Sequence, residues 1–255
     1  MNILYKKYFL FFLLTIIPLI LFSCVSGSKS DIKTEDPDEA FKIAKANYDK
    51  KDYLQAIEDF SLIKIKFSGS KIIDKSQYYL AMCHYNRSEF VLGAYEFDYL
   101  MKNYSTSEFV STSRYMLAMC YYNLSPDYSL DQAYTYLAIN EFLIFIDLYP
   151  DDKNVSEAEK KIKELKNKLA YKDFHSGELY FKMDNYKAAI VYFDNVLDEY
   201  FDTEWADNSL YGKIQALIKK KKYEDAMKEI QRFEKKFGSS ELLMNVLSLK
   251  KEIPL

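Results

Sequence analysis

Two histidines and three cysteines are the scarce reactive side chains of this 255-residue sequence. Cys83 and Cys120 lie in near-identical heptapeptides, Leu80-Ala81-Met82-Cys83-His84-Tyr85-Asn86 and Leu117-Ala118-Met119-Cys120-Tyr121-Tyr122-Asn123, 37 residues apart. His84 stands where the second copy has Tyr121, which reads as a helix-surface or packing residue rather than a catalytic base. His175, beside Lys172 and Asp173 with no cysteine partner, reads the same way. Both cysteines take the small helix position that faces an adjacent helix. Equivalent points on neighbouring repeats stand roughly 9–10 Å apart, beyond the ~7 Å Cα reach of a disulfide. They are expected as buried, inert thiols. Asp151-Asp152 and Glu204 to Asp207 read as loop and cap acids before helices. No glycine loop for phosphate is present. No catalytic residue, no metal site and no cofactor is expected, and the chain reads as a non-enzyme.

The third cysteine has a different address. Lys6 and Lys7 precede an uncharged run from Tyr8 to Phe22. That run is shorter than the ~20 residues a membrane-crossing helix needs, and it fits a secretory signal. It ends in Leu21-Phe22-Ser23-Cys24, which resembles the bacterial lipobox apart from the bulk of Phe22. The resemblance implies a diacylglycerol thioether on Cys24 after cleavage of residues 1–23; an ordinary signal peptide or uncleaved anchor is the alternative. Ser26-Gly27-Ser28-Lys29-Ser30 then follows as a flexible tether, placed within residues 24–37. Each buried acyl methylene stabilises membrane attachment by ~0.8 kcal/mol, so several chains hold it durably.

The elements behind these residues are helical. Glycine (6) and proline (5) are too few for a turn-rich β fold. The 24 Tyr and 18 Phe exclude a disordered chain. A net charge of −3 without a basic block argues against nucleic acid. A pattern of large, small and large residues at offsets 0, 3 and 7 occurs five times: Tyr53/Ala56/Phe60, Phe90/Gly93/Phe97, Leu130/Ala133/Leu137, Tyr186/Ala189/Phe193 and Tyr223/Ala226/Ile230. In four of them an aromatic follows at offset 14: Phe67, Tyr104, Tyr200 and Phe237. These offsets form one helical stripe, with the small residue admitting a close neighbour. Each set follows another apolar helical segment across a polar joint. Paired helices at this period look like tetratricopeptide repeats. The expected fold is all-α: an α-solenoid of about five hairpins, with residues 38–154 holding units one to three. Residues 155–255 hold a long connecting helix from Val155 and units four and five. Loop Ser125-Pro126-Asp127-Tyr128-Ser129 enlarges the third hairpin.

In such hairpins the first helix lines a concave groove. Alignment of the repeats places Tyr78, Met82, Tyr85 and Asn86 there in the second unit, and Tyr115, Met119, Tyr122 and Asn123 in the third. The same rings at helical spacing also read as core, and the two readings stay open. Tyrosine hydroxyls and paired asparagine amides favour a surface for an extended peptide.

The lipobox and five such units together resemble the outer-membrane assembly lipoproteins of the BamD, or ComL, type. Three stretches carry the resemblance: Tyr53-Leu54-Gln55-Ala56-Ile57 with Phe60; Asp131-Gln132-Ala133 through Phe145 to Tyr149-Pro150; and Leu165 to Ala170, running on through Tyr180, Tyr186, Ala189, Leu197 and Tyr200. Ser68 and Phe201 stand where that family often has proline. Its basic residues in the fourth unit's second helix are replaced by Asp194, Asp198 and Glu199. The resemblance implies an outer-membrane lipoprotein facing the periplasm and held by its lipid. It further implies two partners, a POTRA domain of the BamA-type insertase and unfolded outer-membrane proteins. Insertase docking is expected in the charged carboxyl-terminal half, at Lys221, Lys222, Asp194 and Asp198. A tetratricopeptide lipoprotein of envelope division or glycan uptake is the other reading.

Overall fold

The computed structural model describes Ser30 and residues 32–254, so Cys24 and the signal segment lie outside the described residues. Eleven α-helices, and no strand, are found among those residues. They are α1 (Pro37–Asp49), α2 (Tyr53–Lys66), α3 (Ile73–Asn86), α4 (Phe90–Asn103), α5 (Val110–Leu124), α6 (Ala133–Leu148), α7 (Val155–Lys182), α8 (Tyr186–Glu199), α9 (Ala206–Lys219), α10 (Tyr223–Lys236) and α11 (Leu243–Glu252). This is the all-α class of tetratricopeptide-like hairpins. The chain gathers into two compact units divided after Cys83, inside α3.

The first unit is built on α1 and α2. Ala40 and Ala44 of α1 meet Ala56, Phe60 and Ile63 of α2, all without solvent exposure. The residues just before α1 dock on this core. Ile32 is buried in it, Ser30 Oγ donates to Asp59 at 2.7 Å, and Lys66 Nζ donates to the Thr34 carbonyl at 2.9 Å. The end of the expected tether is thus held on α2. Asp59, fully buried, also accepts from Asn47 at 2.8 Å and Gln55 at 3.2 Å.

In the second unit the hairpins repeat one construction. The first helix of a pair ends in a residue with positive φ, which is Ser88 (61°), Asp184 (58°) and Lys221 (58°) here and Lys51 (64°) in the first unit. Its N–H and the next one turn back onto the helix, as in Lys221 to Ile218 at 2.8 Å and Lys222 to Leu217 at 2.9 Å. That is a helix stop made without glycine. The second helix buries offsets 3, 7 and 10, for example Ala189, Phe193 and Val196, and is capped at offset 14 by the aromatic Tyr200.

The third hairpin departs from the expected register. Leu130 and Leu137, read as its stripe, are 58% and 42% exposed, and Ala133 is exposed too. The buried set is Thr135, Ala138, Phe142 and Phe145, with Tyr149 as the cap, so the same offsets begin five residues later. The cause is the loop. Gln132 is buried and donates to the carbonyls of Asp127 and Leu130, while accepting from Thr135 at 2.7 Å. From α7, Lys168 reaches Ser125 Oγ and the Pro126 carbonyl, and Lys172 reaches the carbonyls of Tyr128 and Leu130 at 2.9 Å. Helix α6 begins only after this anchored loop closes. With the set re-aligned, the leading residues step by 37, 45, 51 and 37.

Candidate functional site

The expected groove residues fall on first helices, and six of the eight lie in the second unit. Tyr115, Met119, Tyr122 and Asn123 follow one another along α5, and Tyr85 and Asn86 are the last two residues of α3. Tyr115 is half-buried with its ring on Phe142 (6.0 Å) and Phe145 (5.4 Å), so its face belongs to the core. Burial pushes its hydroxyl pKa up, helped by nearby Glu157. Met119 packs on the same core. Asn123 is exposed, donating to the Met119 carbonyl at 2.7 Å and the Tyr85 hydroxyl at 3.3 Å. Asn86, one residue beyond Tyr85, is exposed. Tyr78 and Met82 are half-buried on the part of α3 that belongs to the first unit. Burial there, with Tyr48 and Tyr79 nearby, pushes the Tyr78 hydroxyl up to about 12.

Helix α7 completes the polar part of this surface with two residues the sequence reading did not name. Tyr122 donates its hydroxyl to Glu164 at 2.6 Å and accepts from Lys161 at 3.2 Å, and the Lys161 ammonium lies 4.5 Å from the Tyr122 ring centre. The bond to Glu164 raises the Tyr122 pKa, and the bond from Tyr122 holds Glu164 below the usual carboxylate range. The bond to Tyr122, then that to Glu164, pushes Lys161 up to about 12. An open cleft of about 360 Å³ lies beside them, lined by Tyr122, Asn123, Ser125, Glu164, Leu165 and Lys168. Burial drives the Lys168 pKa down.

This set offers neutral phenols, an amide and one fixed ion pair. It can hydrogen-bond a peptide backbone and cover apolar side chains. It holds no nucleophile poised by a base: the Cys120 thiol is buried and pushed up to about 12 by that burial. Cys83 is likewise a buried thiol. His84 Nδ1 lies 2.7 Å from Glu89, across the turn that ends α3, and His175 lies against the rings of Tyr171 and Tyr128. Both are structural positions.

The four charges expected to dock a partner are dispersed. Lys221 and Lys222 form the exposed turn before α10, with Lys222 3.5 Å from Asp225. Asp198 is exposed on α8. Asp194 is engaged within the fold: Lys213 of α9 reaches it at 2.7 Å and reaches Glu229 of α10 at 2.7 Å.

Against this geometry stand the likenesses to known proteins. A family model described as an outer membrane lipoprotein, YfiO, matches residues 33–219. The outer membrane protein assembly factor BamD of Rickettsia prowazekii is 30% identical over 105 residues, covering 41% of this chain and 42% of that protein. The match therefore spans about two fifths of the curated relative's length. A TPR repeats protein from Bacteroides fragilis is 15% identical over 86% of this chain and 84% of its own, with a TM-score of 0.42. The TPR2AB domain of yeast Sti1 in a pHSP90 complex is 12% identical over 85% and 98%, with a TM-score of 0.41.

Proposed function

Because the chain belongs to the YfiO family of outer membrane lipoproteins, we propose that it is a non-enzymatic scaffold of β-barrel assembly in the outer membrane. In this reading Cys24 anchors it by lipid and the chain faces the periplasm. It docks a POTRA domain of a BamA-type insertase and receives unfolded outer-membrane proteins. The observation that carries the receiving role is the Tyr85–Asn123–Tyr122–Lys161–Glu164 surface, which presents hydrogen-bonding groups over half-buried rings without any reactive pair. No helix among the described residues is long and apolar enough to cross a membrane. Trp205, the residue a glycan reader would use, is half-buried and stacked on Phe174 at 5.2 Å, which disfavours the glycan-uptake alternative.

Two measurements test this. Replacing Cys24→Ala is expected to move the protein from the detergent-extracted fraction to the aqueous one; a variant still extracted only by detergent overturns the lipid anchor. The division of labour is tested by pull-down. Tyr85→Ala with Tyr122→Ala is expected to weaken binding of an aromatic-ended barrel peptide by about tenfold while sparing the insertase. Lys221→Glu with Lys222→Glu is expected to do the reverse, with a salt-sensitive loss. Equal loss of both partners by both folded variants overturns the division in favour of one shared surface.

A further inference from the structure

Helix α6 carries apolar side chains on both sides, and among the described residues only its inner side is fully buried. Its inner side, Ala138, Phe142 and Phe145, is fully buried. Its outer side presents Tyr136 (56% exposed), Leu137 (42%), Leu143 (51%) and Leu148 (54%). Leu137 and Leu148 lie eleven residues apart and Tyr136 and Leu143 seven apart, so they form two rows about 100° apart on the outer side, with the exposed Asn140 and Asp147 between them. Large apolar side chains gathered on one exposed face mark an interaction surface. The Tyr136 hydroxyl is hydrogen-bonded to Tyr200, at the end of α8, which fixes one edge of the face.

The segment that carries this face is acidic. From Tyr115 to Asp152 the sequence contains no Lys, Arg or His, in a chain with 35 Lys and Arg, but it contains Asp127, Asp131, Glu141, Asp147, Asp151 and Asp152. Glu141 is paired with Arg114 at 2.8 Å, and Asp152 bonds Ser111 at 3.0 Å. Lys168 and Lys172, the lysines that reach the preceding loop from α7, are occupied by Ser125 Oγ and by loop carbonyls. Asp147 therefore stands as an exposed acid between the two rows, and Asp131 and Asp151 as exposed acids beyond the two ends of the helix.

We propose that the outer face of α6 is a docking surface for an amphipathic helix of another protein, with a leucine-rich stripe flanked by Lys and Arg. Two other occupants fit these acids poorly. An anionic lipid surface is repelled by the acids. A second copy pairing through the same face sets aspartates against aspartates. A basic-flanked helix buries its stripe on the four side chains while its cations meet the acids, which gives both affinity and register. The sixteen residues of α6 span about 24 Å, room for a partner of about four turns.

The probe is a fluorescent peptide of about eighteen residues with a leucine face and lysine flanks, titrated with the whole chain. A control peptide keeps the leucine face and carries glutamate flanks. The lysine peptide is expected to bind about tenfold more tightly than the control. Leu137→Asn with Leu143→Asn, at exposed positions, is expected to weaken it about tenfold with unchanged circular dichroism, and Leu148→Ser serves as an independent variant. Asp147→Asn with Asp151→Asn is expected to reduce the salt dependence. Equal binding of the two peptides, or no change in the leucine variants, overturns the proposal. So does a self-association that Leu143→Asn dissolves, or flotation with phosphatidylglycerol vesicles that it abolishes; these outcomes assign the face to a second copy or to lipid.

Discussion

Phe193→Ala is expected to destabilise the second unit by about 3–5 kcal/mol, the usual cost of emptying a fully enclosed phenylalanine site. The ring is 1% exposed and lies between two glycines, Gly177 of α7 and Gly212 of α9. A Cβ at either glycine would stand 2.6 Å from a ring carbon. The glycines therefore exist to let two helices close on one ring. This also fixes the sign of a second substitution. Gly→Ala within an exposed helix gains about 1 kcal/mol of propensity, but Gly177→Ala is expected to lose about 1–3 kcal/mol through overpacking. In a Phe193→Leu background that loss should shrink. The sole tryptophan makes the readout local, because Trp205 stacks on Phe174, whose ring centre is 6.1 Å from that of Phe193. Denaturant unfolding followed by its fluorescence checks both changes. A Gly177→Ala variant as stable as the parent would show that the ring has room, and the packing account would fall.

What the sequence disclosed follows from the range of the interactions involved. The second helices were legible because Tyr53/Ala56/Phe60 and its counterparts place large, small and large residues on one stripe, a pattern confined to fifteen residues. The third register was misread because Leu130, Ala133 and Leu137 imitate those offsets, while the anchored loop that displaces the helix start depends on Lys168 and Lys172, about forty residues away. The small residues of the first helices were missed for another reason. Ala40, Ser76, Ser113, Ala158 and Ser209 are all buried at the fourth helical position, but Ala and Ser alternate there without a shared neighbour, so no motif stands out. The turns were expected as polar joints; their left-handed residues, Lys51, Ser88, Asp184 and Lys221, include no glycine or asparagine to announce the geometry. The repeat alignment put the rings of the candidate groove on the first helices, but it could not name Lys161 and Glu164, since α7 is brought to Tyr122 only by packing. Asp194 looked like a surface charge for the same reason: its partner lies one helix later.

That partner gives the second large effect. Lys213→Met is expected to destabilise the last two hairpins by about 2–3 kcal/mol, somewhat below the ~3–5 kcal/mol of breaking a wholly buried ion pair. The discount reflects the 37% exposure of the Asp194 side chain; Lys213 and Glu229 retain only 13% and 18%. Removing the ammonium leaves two carboxylates, from α8 and α10, directed at one uncharged methyl group. Most of the cost is their mutual repulsion and lost solvation, so neutralising both in Asp194→Asn/Lys213→Met/Glu229→Gln should recover much of the stability. The effects will be strongly non-additive. The pH dependence follows from the lysine. Burial alone would lower its pKa, but the hydrogen bonds and charges of Asp194 and Glu229 outweigh that and hold it above the ordinary 10.5. An amine whose folded pKa exceeds its unfolded value contributes stability that is fully present below the unfolded pKa and is lost as pH rises through the folded one. Alkaline titration should therefore erode the parent above about pH 10.5 more steeply than Lys213→Met, so that the two stabilities converge. Curves that stay parallel would mean that the triad holds these helices by packing of the lysine stem alone, and Asp194 would then return as a candidate for partner docking.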